Sequence, residues 1–272
     1  MFVQDLGQLD GPVLLFGGPY SNLPATQALF DVARDRGIGA DHMICTGDVV
    51  AYCADPAETV AAIRASGCAI VAGNCEKQLA ANEMDCGCGF EAGSACDLLS
   101  AGWYAHADRA IGAGDRAWMG GVPDIVTFIH QGRRAAVIHG GVTEISRFLW
   151  PTSPEAEFEA EIDHLTGLIG AVYMVIAGHC GIPFVRSVGA VDWINAGVIG
   201  MPPHDGRPET RYAVMSDGTV TIERLRYDHA VAADHMRQRG LTQGYDNALL
   251  SGYWPSEEVL PPDLRRPALA SG

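Results

Sequence analysis

Four polar side chains of metal-ligand type stand at the ends of short apolar runs along the chain. Asp48, Asn74, His139 and His179 each follow such a run, either directly or after a single glycine. One carboxylate, one amide oxygen and two imidazoles form a donor set that suits a divalent transition metal ion. The pattern therefore predicts a site for a divalent transition metal ion at these four residues.

The apolar runs before these residues have the length of buried strands, and amphipathic stretches separate them. The predicted strands are residues 13–16, 43–46, 68–72, 135–138 and 172–177. The predicted helices, where apolar residues recur at helical spacing, are residues 25–36, 55–67 and the stretch from 153. Strands that alternate with helices indicate an α/β fold. In such folds ligands bind where the strands end, because the loops converge there.

The rest of the chain gives fewer signals. Residues 76–132 lack clear periodicity, so no element is predicted there. From residue 184 to 226 short strands alternate with turns, including a hairpin turn at Asp217-Gly218, and this change of pattern predicts a second sheet. Two short helices are expected within residues 230–250. We predict a layered domain at residues 1–228 and a helical appendage with a proline-rich tail at residues 229–272.

Composition and charge narrow the classes of function. The chain has 272 residues, of which 48% are hydrophobic, so it can bury a core and is not disordered as a whole. It carries 18 Lys and Arg against 33 Asp and Glu, and this net charge of -15 argues against general nucleic-acid binding. Because the N-terminus lacks a basic region and no apolar run reaches membrane-spanning length, we expect a cytoplasmic protein without a membrane partner. The oligomeric state stays open.

The order of the polar motifs resembles that of the calcineurin-like metallophosphoesterases, in particular the family's small bacterial branch. The matching segments are Asn22-Leu23-Pro24-Ala25, Gly47-Asp48-Val49-Val50, Gly73-Asn74-Cys75-Glu76, His139-Gly140, Gly178-His179 and Ile194-Asn195-Ala196-Gly197. The segment Gly252-Tyr253-Trp254-Pro255-Ser256 also resembles tails of this branch. The resemblance implies a four-layer αββα sandwich, in which helices flank two mixed sheets.

The chain departs from the family pattern at one of the two metal ions. The family holds that ion with the Asp and His of its first motif, a bridging Asp and the last His of its fifth motif. The register set by Asn22 puts Gly18 and Tyr20 at the first-motif positions, and Gly181 stands in place of the last His. The resemblance therefore implies that these positions, with Asn22 and the adjoining Cys180, are a vacated metal site or face a substrate.

The family's ligands for the other ion all have equivalents here. They are Asp48, Asn74, His139 and His179, the same four residues that the strand ends bring forward. The resemblance thus implies a remodelled, mononuclear site for one divalent ion, of Mn, Zn or Fe, and argues against a second ion. Tyr20 either supplies a phenolate or fills the volume of the lost ion, and we favour the second alternative.

The reaction that the resemblance implies is metal-dependent hydrolysis of a phosphate ester or a nucleotide-type phosphoanhydride in a small phosphorylated molecule. A single ion can polarise phosphate and activate water. The residue that would protonate the leaving group is Cys75, where the family has histidine. Glu76 is either an orienting carboxylate or a solvated residue at the start of a helix. These features favour a phosphoric ester hydrolase.

Two alternatives remain open at the level of sequence. The first is a non-catalytic protein that binds a phosphate ligand or regulates a partner on the same fold. The second is a Cys-ligated metal site or a redox sensor, built on Cys75, Cys86, Cys88 and Cys96 with Cys180 nearby. Their C-x-C-x7-C spacing matches no strong metal signature.

The cysteine pattern as a whole favours thiols. Eight cysteines in a long chain without a secretion signal are better explained as thiols or metal ligands than as disulfides. We predict that Cys45, Cys53 and Cys68, which lie in or beside predicted strands and helices, are core residues.

Overall fold

The computed structural model describes residues 1–267, and within them eleven strands form a six-stranded and a five-stranded sheet. The strands are β1 (Val3–Gln8), β2 (Val13–Phe16), β3 (Met43–Cys45), β4 (Ala69–Ile70), β5 (Ile125–His130), β6 (Arg133–Val137), β7 (Met174–Ala177), β8 (Phe184–Val188), β9 (Val191–Asn195), β10 (Thr210–Ser216) and β11 (Thr219–Leu225). Their orders are β1-β5-β6-β7-β9-β8 and β11-β10-β2-β3-β4, and both sheets are mixed.

Helices cover the outer faces of the two sheets. The helices are α1 (Leu23–Asp35), α2 (Pro56–Ser66), α3 (Asn74–Ala81), α4 (Ala95–Ala110), α5 (Ala113–Gly120), α6 (Glu155–Ile169), α7 (His229–Gln238) and α8 (Tyr245–Ser251). The α1, α2 and α7 helices share a core with the five-stranded sheet, and α6 packs on the six-stranded sheet. The molecule is therefore the four-layer αββα sandwich that the family resemblance implies.

The inner strands of both sheets are buried on two faces, and their side chains alternate between two cores. In β2, Val13 and Leu15 lie between the sheets, whereas Leu14 and Phe16 face the helices. In β7, Met174 and Ile176 lie between the sheets, whereas Val175 and Ala177 face α6. This double burial explains why these strands appear in the sequence as continuous apolar runs.

Most of the predicted elements are confirmed. The Asp217-Gly218 turn joins β10 to β11, and both residues have the positive φ that a tight hairpin requires. The sequence patterns missed β1 and β5, and the stretch without predicted elements holds α3, α4 and α5. The predicted second sheet is present, but the segment from residue 184 to 226 does not form it alone: β8 and β9 join β7, whereas β10 and β11 join β2.

The C-terminal part packs against the rest of the chain. The α7 helix lies on α1, and α8 lies on α7. Residues 252–260, here called the strap, continue from α8 to the buried Leu260 in the core of the six-stranded sheet. The division at residue 228 stays a prediction. Within residues 1–267 no helix is long and apolar enough to cross a membrane.

Candidate metal centre

The four predicted ligands come in pairs from the two sheets. Asp48 follows β3, and Asn74 follows β4 as the first residue of α3, so both extend from the five-stranded sheet. His139 follows β6 and His179 follows β7, so both extend from the six-stranded sheet. Because each pair of strands is parallel, each pair of ligands leaves its sheet at the same edge. The structure brings these two edges together.

The donor atoms converge around Nε2 of His139. This nitrogen lies 3.0 Å from Oδ1 of Asn74, 3.1 Å from Nδ1 of His179 and 3.2 Å from Oδ2 of Asp48. All four residues are buried. Donor atoms of Asp48, His139 and His179 lie within 4.8 Å of one another, which makes these residues a candidate metal site.

A backbone contact fixes the orientation of the His139 ring. Nδ1 of His139 lies 2.6 Å from the carbonyl oxygen of Thr46. A carbonyl oxygen can only accept a hydrogen bond, so the proton is on Nδ1 and the lone pair on Nε2 faces the other donors. This is the arrangement of a metal-ligating histidine with an outer-shell carbonyl partner.

The side chain of Asn74 is oriented in the same way. Its Nδ2 donates to the carbonyl oxygen of Cys86 at 2.8 Å. The amide oxygen therefore points towards His139 and the centre of the donor cluster. A neutral amide oxygen is a suitable fourth ligand beside one carboxylate and two imidazoles.

The electrostatics keep Asp48 ionised and His179 neutral. Burial alone would raise the pKa of Asp48, but the adjacent His139 and His179 lower it below the ordinary value. Burial and the neighbouring His139 lower the pKa of His179 to about 3. Burial also acts to lower the pKa of His139, but the Asp48 carboxylate raises it overall. The donor set thus offers a carboxylate and a neutral imidazole, and metal binding would displace any proton on His139.

Glu76 holds the loop that presents Asp48. Its buried carboxylate accepts backbone hydrogen bonds from Asp48 at 2.8 Å, Val49 at 2.9 Å and Gly73 at 2.8 Å. Asp48 has a φ of 55°, a strained conformation for a non-glycine residue that these bonds stabilise. Burial and the Asp48 carboxylate raise the pKa of Glu76 to about 7. The interpretation of Glu76 as a solvated residue is wrong, because the side chain is an acceptor for a buried loop.

Two glycines allow the loops of the site to approach closely. A Cβ atom on Gly73 would overlap the Asp48 carboxylate, and one on Gly47 would lie 2.6 Å from the backbone nitrogen of Gly73. Real Cβ atoms do not approach so closely, so side chains at these positions would push Asp48 and Asn74 apart. The glycines beside the ligands are therefore packing requirements.

The loop of His179 is held by Asn195 and by Phe148. Nδ2 of Asn195 donates to the carbonyl oxygen of Gly178 at 2.8 Å and contacts Sγ of Cys180 at 3.1 Å. The Phe148 ring packs on the His179 ring with centroids 4.4 Å apart. The segment around Asn195, which resembles a family motif, thus supports the fourth ligand from the adjacent strand β9.

Tyr20 fills the space next to the vacated ligand positions. Gly18 has a φ of 38°, and a Cβ atom there would lie 2.6 Å from the Tyr20 ring. Burial and the nearby Asp48 carboxylate raise the pKa of Tyr20 well above its ordinary value, so the side chain is a neutral phenol. Both observations support the interpretation of Tyr20 as a filler of volume over that of a phenolate ligand.

The other predicted positions divide between the cavity and the core. Gly181 and Cys180 line a cavity beside Asp48, as Tyr20 does. Asn22 lies elsewhere: its Oδ1 accepts from the backbone of Ala25 at 3.1 Å and caps α1, and its Nδ2 donates to the carbonyl oxygen of Gly200 at 3.0 Å. The side chain of Asn22 is therefore fully used in the core, away from the substrate position that we expected.

The cavity measures about 50 Å³, and Asp48 and His179 form part of its wall. The rest of the wall is mainly apolar and aromatic, with its larger rings from Tyr52, Phe90, Phe148, Tyr245 and Trp254. Sequence reasoning assigned none of these five to the site, because they come from irregular loops, α8 and the strap. The resemblance of residues 252–256 to family tails was the one signal that pointed to Trp254.

Cys75 lies in the wall of this cavity. Its thiol is buried, and burial together with the Asp48 carboxylate raises its pKa well above the ordinary value, so Sγ keeps its proton. The backbone N–H of Cys75 contacts Oδ1 of Asp48 at 3.4 Å. The structure thus places a neutral thiol beside the proposed ligands, where the family has histidine.

The remaining cysteines differ in part from the prediction. Cys45, Cys53 and Cys68 are buried core residues, as predicted. Cys86 and Cys88 are paired in a disulfide, whereas the sequence favoured thiols or metal ligands. Gly87 between them has a φ of 60°, which turns the chain so that the two side chains meet.

The thiols do not form a second metal cluster within the described part of the chain. Cys96 and Cys88 line the cavity together with Cys75 and Cys180, but the donor cluster found there contains no cysteine. The Cys-ligated alternative therefore lacks a preformed set of donors, whereas Asp48, His139 and His179 already lie close enough to share an ion.

The donor set fits the metal that the fold family implies. It contains one ionised carboxylate, an imidazole with a fixed tautomer, a second neutral imidazole and an oriented amide oxygen, all buried. Zn²⁺, Mn²⁺ and Fe²⁺ accept such nitrogen and oxygen ligands. Outer-shell contacts from Thr46 and Cys86 orient two of the four donors, as they do in established metal sites.

Comparisons with known proteins agree with this fold. The chain is 25% identical to an uncharacterised protein of Methanocaldococcus jannaschii over an alignment of 253 residues. This alignment covers 86% of this chain and 95% of that protein. The fold of this chain is similar to that of a metallophosphoesterase from Sphaerobacter thermophilus, with a TM-score of 0.65 and 20% identity over 90% of this chain and 100% of that chain. It is also similar to a hypothetical protein from Pyrococcus horikoshii OT3, with a TM-score of 0.71 and 15% identity over 90% of this chain and 99% of that chain.

The sequence also matches a family model. Residues 21–218 match the model of the calcineurin-like phosphoesterase superfamily domain, and this segment contains all four proposed ligands. The model begins beyond Gly18 and Tyr20, the two positions at which the first motif is lost. The chain belongs to the calcineurin-like phosphoesterase superfamily.

Proposed function

We propose that the protein hydrolyses a phosphate ester with a single divalent metal ion held by Asp48, Asn74, His139 and His179. The observation that carries this proposal is the convergence of all four donors around one point, with Nε2 of His139 within 3.2 Å of the other three. When bound, such an ion supplies a Lewis acid for phosphate and an activated water.

The residues of the chain determine where the reaction takes place. Asp48 and His179 lie at the boundary between the donor cluster and the cavity, so a phosphate that meets them sits in the cavity. Phe148 covers the His179 ring, and the cavity wall is mainly apolar and aromatic. A wall of low polarity strengthens electrostatic interactions with the phosphate.

Proton transfer to the leaving group falls to Cys75 in this proposal. Its Sγ carries a proton and faces the same cavity. A buried thiol is a weaker acid than an imidazolium, so the proposal favours substrates whose alcohol is a good leaving group. Glu76 acts as a positioning residue, because its carboxylate binds the backbone of the Asp48 loop rather than the cavity.

The loss of the first ion supports a second candidate, a non-catalytic phosphate-binding or regulatory protein. Tyr20 occupies the space beside the vacated positions, and Cys75 replaces the usual histidine. Both changes would lower the rate of hydrolysis more than the affinity for phosphate. The two candidates therefore differ in turnover, which an assay can measure.

The test combines metal content with a search for turnover. The purified chain, loaded with Mn²⁺, Zn²⁺ or Fe²⁺, is assayed against aryl phosphates, phosphodiesters and dinucleoside polyphosphates. We expect metal-dependent turnover of at least one ester, and its loss in the His179→Ala variant. Stoichiometric metal and phosphate binding without any turnover would support the non-catalytic candidate instead. Absence of metal binding would contradict both the site and the reaction.

A further inference from the structure

Three tyrosines form one wall of the cavity beside Asp48. The ring centroids of Tyr20 and Tyr52 are 4.8 Å apart, and those of Tyr52 and Tyr245 are 4.6 Å apart. They come from three different parts of the chain: the loop after β2, the loop after β3 and the first residue of α8. Tyr20 and Tyr52 both have positive φ values, of 52° and 41°. The cluster is thus assembled from distant segments at two strained backbone positions.

The hydroxyl groups of this cluster have no partner in the protein. Among the described residues 1–267, no side chain or backbone group hydrogen-bonds to the hydroxyl of Tyr20, Tyr52 or Tyr245, although all three residues line the cavity. The hydroxyls of Tyr104 and Tyr212, by contrast, are bonded to Glu83 and Glu223. Tyr20 and Tyr245 are buried and Tyr52 is half-buried, and most buried tyrosine hydroxyls find a partner. The three free hydroxyls therefore offer donors to a ligand in the cavity.

The same cavity contains no cationic side chain. None of its lining residues, in the part of the chain that the structure describes, is Lys or Arg, and Asp48 adds a negative charge. One divalent ion beside the Asp48 carboxylate would leave a net charge of about +1 to balance the negative charge of a phosphate. Each further phosphate group would bring uncompensated negative charge into an apolar environment, which is costly. The charge balance thus fits a ligand with one phosphate group.

The size and lining of the cavity limit the rest of the ligand. Its volume of about 50 Å³ is far below that of usual small-molecule pockets, about 300–1,000 Å³. Phe148, Met201, Trp254 and Val259 present apolar surface next to the phosphate position. The apolar lining suits a compact, uncharged aromatic group, and the small volume argues against a nucleoside with a polyphosphate chain.

We propose that the hydroxyls of Tyr20, Tyr52 and Tyr245 bind the oxygens of a single phosphoryl group, and that the substrate is a compact phosphate monoester of an uncharged aromatic alcohol. The tyrosine cluster thereby takes over, with neutral donors, part of the phosphate binding that a second ion would provide. The inference rests on the proposed function for its substrate, but its phosphate-binding part is measurable without turnover.

The test uses three single variants, Tyr20→Phe, Tyr52→Phe and Tyr245→Phe, in the metal-loaded protein. Each variant removes one hydroxyl and keeps the ring, so the aromatic packing and the fold are retained. Affinity for inorganic phosphate and for phenylphosphonate, which is not hydrolysed, is measured by calorimetry. We expect each variant to lose about 10-fold in affinity, as for one hydrogen bond to a charged group. The matched control is Tyr173→Phe, at an exposed tyrosine outside the cavity, which should bind as wild type does.

The substrate class is tested by comparing kcat/KM for phenyl phosphate with that for ATP and for a dinucleoside tetraphosphate. We expect phenyl phosphate to be preferred by at least about 10-fold, since each polyphosphate brings charge that the cavity does not compensate. Faster hydrolysis of either polyphosphate would overturn the proposed class. Wild-type affinity for phosphate in all three tyrosine variants would overturn the role of the cluster.

Failure of the proposed function gives a different result. If no ester is hydrolysed but phosphate binds and the three variants weaken it, the reaction is wrong and the tyrosine cluster stands. If esters are hydrolysed but the variants bind phosphate as wild type does, the reaction stands and the cluster is wrong. Metal content is measured in every variant, so that a loss of the ion is separated from a loss of phosphate contacts.

Discussion

His139 and Thr46 are joined by a hydrogen bond of 2.6 Å from Nδ1 of the imidazole to the backbone carbonyl oxygen. Thr46 directly follows β3 in the five-stranded sheet, and His139 follows β6 in the six-stranded sheet. The bond therefore crosses from one sheet to the other and, at the same time, directs Nε2 towards Asp48, Asn74 and His179. The proposed metal binding by His139 depends on this orientation of its ring.

The His139→Ala and His179→Ala variants are each expected to lose metal binding. Each variant removes one of the four proposed donors. Removal of an outer-shell partner alone lowers metal affinity by about 10- to 100-fold, and removal of a ligand should lower it further. Metal content after gel filtration measures the effect. The control is His164→Ala, at an exposed position of α6. Full metal occupancy in both histidine variants would contradict the site. The Asn74→Ala variant should lose less metal affinity, because it removes only a neutral amide oxygen.

The wild-type chain is expected to bind one ion rather than two. Gly18 and Gly181 supply no side chain at two vacated positions, and the Tyr20 ring occupies the space beside Gly18. The Tyr20→His variant should also bind one ion, since a single added imidazole does not complete a second ligand set. Titration with Mn²⁺ followed by calorimetry measures the stoichiometry. Two ions per wild-type chain would show that other residues replace the lost ligands.

The Glu76→Gln variant is expected to be less stable by about 2–3 kcal/mol. Glutamine has one acceptor oxygen and one NH2 group, so its NH2 would face backbone N–H donors of the Asp48 loop and leave buried groups unpaired. Urea unfolding of the metal-free protein measures the free energy of unfolding. The matched control is Glu159→Gln on the exposed face of α6. Equal stability of the two variants would mean that the carboxylate does not hold the loop.

Mildly acidic pH is expected to loosen the strap. Nδ1 of His204 accepts from the backbone N–H of Trp254 at 2.9 Å, and Nε2 contacts the Glu257 carboxylate at 2.9 Å. An amide N–H can only donate, so Nδ1 has no proton, and a second proton on the ring would break this bond. Burial lowers the pKa of His204 below its ordinary value, although Glu257 and Asp205 act to raise it and Arg266 adds to the lowering.

The sign of this effect follows from the lowered pKa. The stabilisation by neutral His204 is fully present above the ordinary histidine pKa of about 6.5 and is lost as the pH falls through the lower value in the folded protein. Hydrogen exchange of residues 253–260 should therefore be faster at about pH 5 than at about pH 7.5, after correction for intrinsic rates. His204→Gln, whose amide can accept and donate but cannot titrate, should remove this dependence. An unchanged pH dependence in that variant would exclude His204 as its origin.

The sequence could predict the ligands because each one follows a strand that is buried on both faces. Such strands are continuous apolar runs, and the polar residue after each run is easy to recognise. Strand β1, by contrast, is largely exposed and alternates irregularly, so Val3–Gln8 gave no clear pattern. The helix α4 was also missed, since its glycine and small residues weaken the amphipathic signal around Trp103.

The wall of the cavity could not be predicted for a different reason. Tyr52, Phe148 and Trp254 lie in irregular segments, far apart in the chain, and meet only after the two sheets and the strap have packed. No periodic pattern in the sequence indicates such contacts between distant segments. The same holds for Glu76, whose role depends on three backbone N–H groups from two loops.

The division of the four ligands between two sheets makes metal affinity sensitive to the distance between those sheets. Asp48 and His139 keep their separation only while the apolar layer beneath them, which includes Ile44 and Ile176, keeps its thickness. A smaller side chain in that layer lets the sheets settle by a fraction of an ångström, and the donor atoms move with them. Core substitutions that never touch the proposed ion would therefore tune its affinity, and in return a bound ion would act as a clasp that resists separation of the two halves of the sandwich.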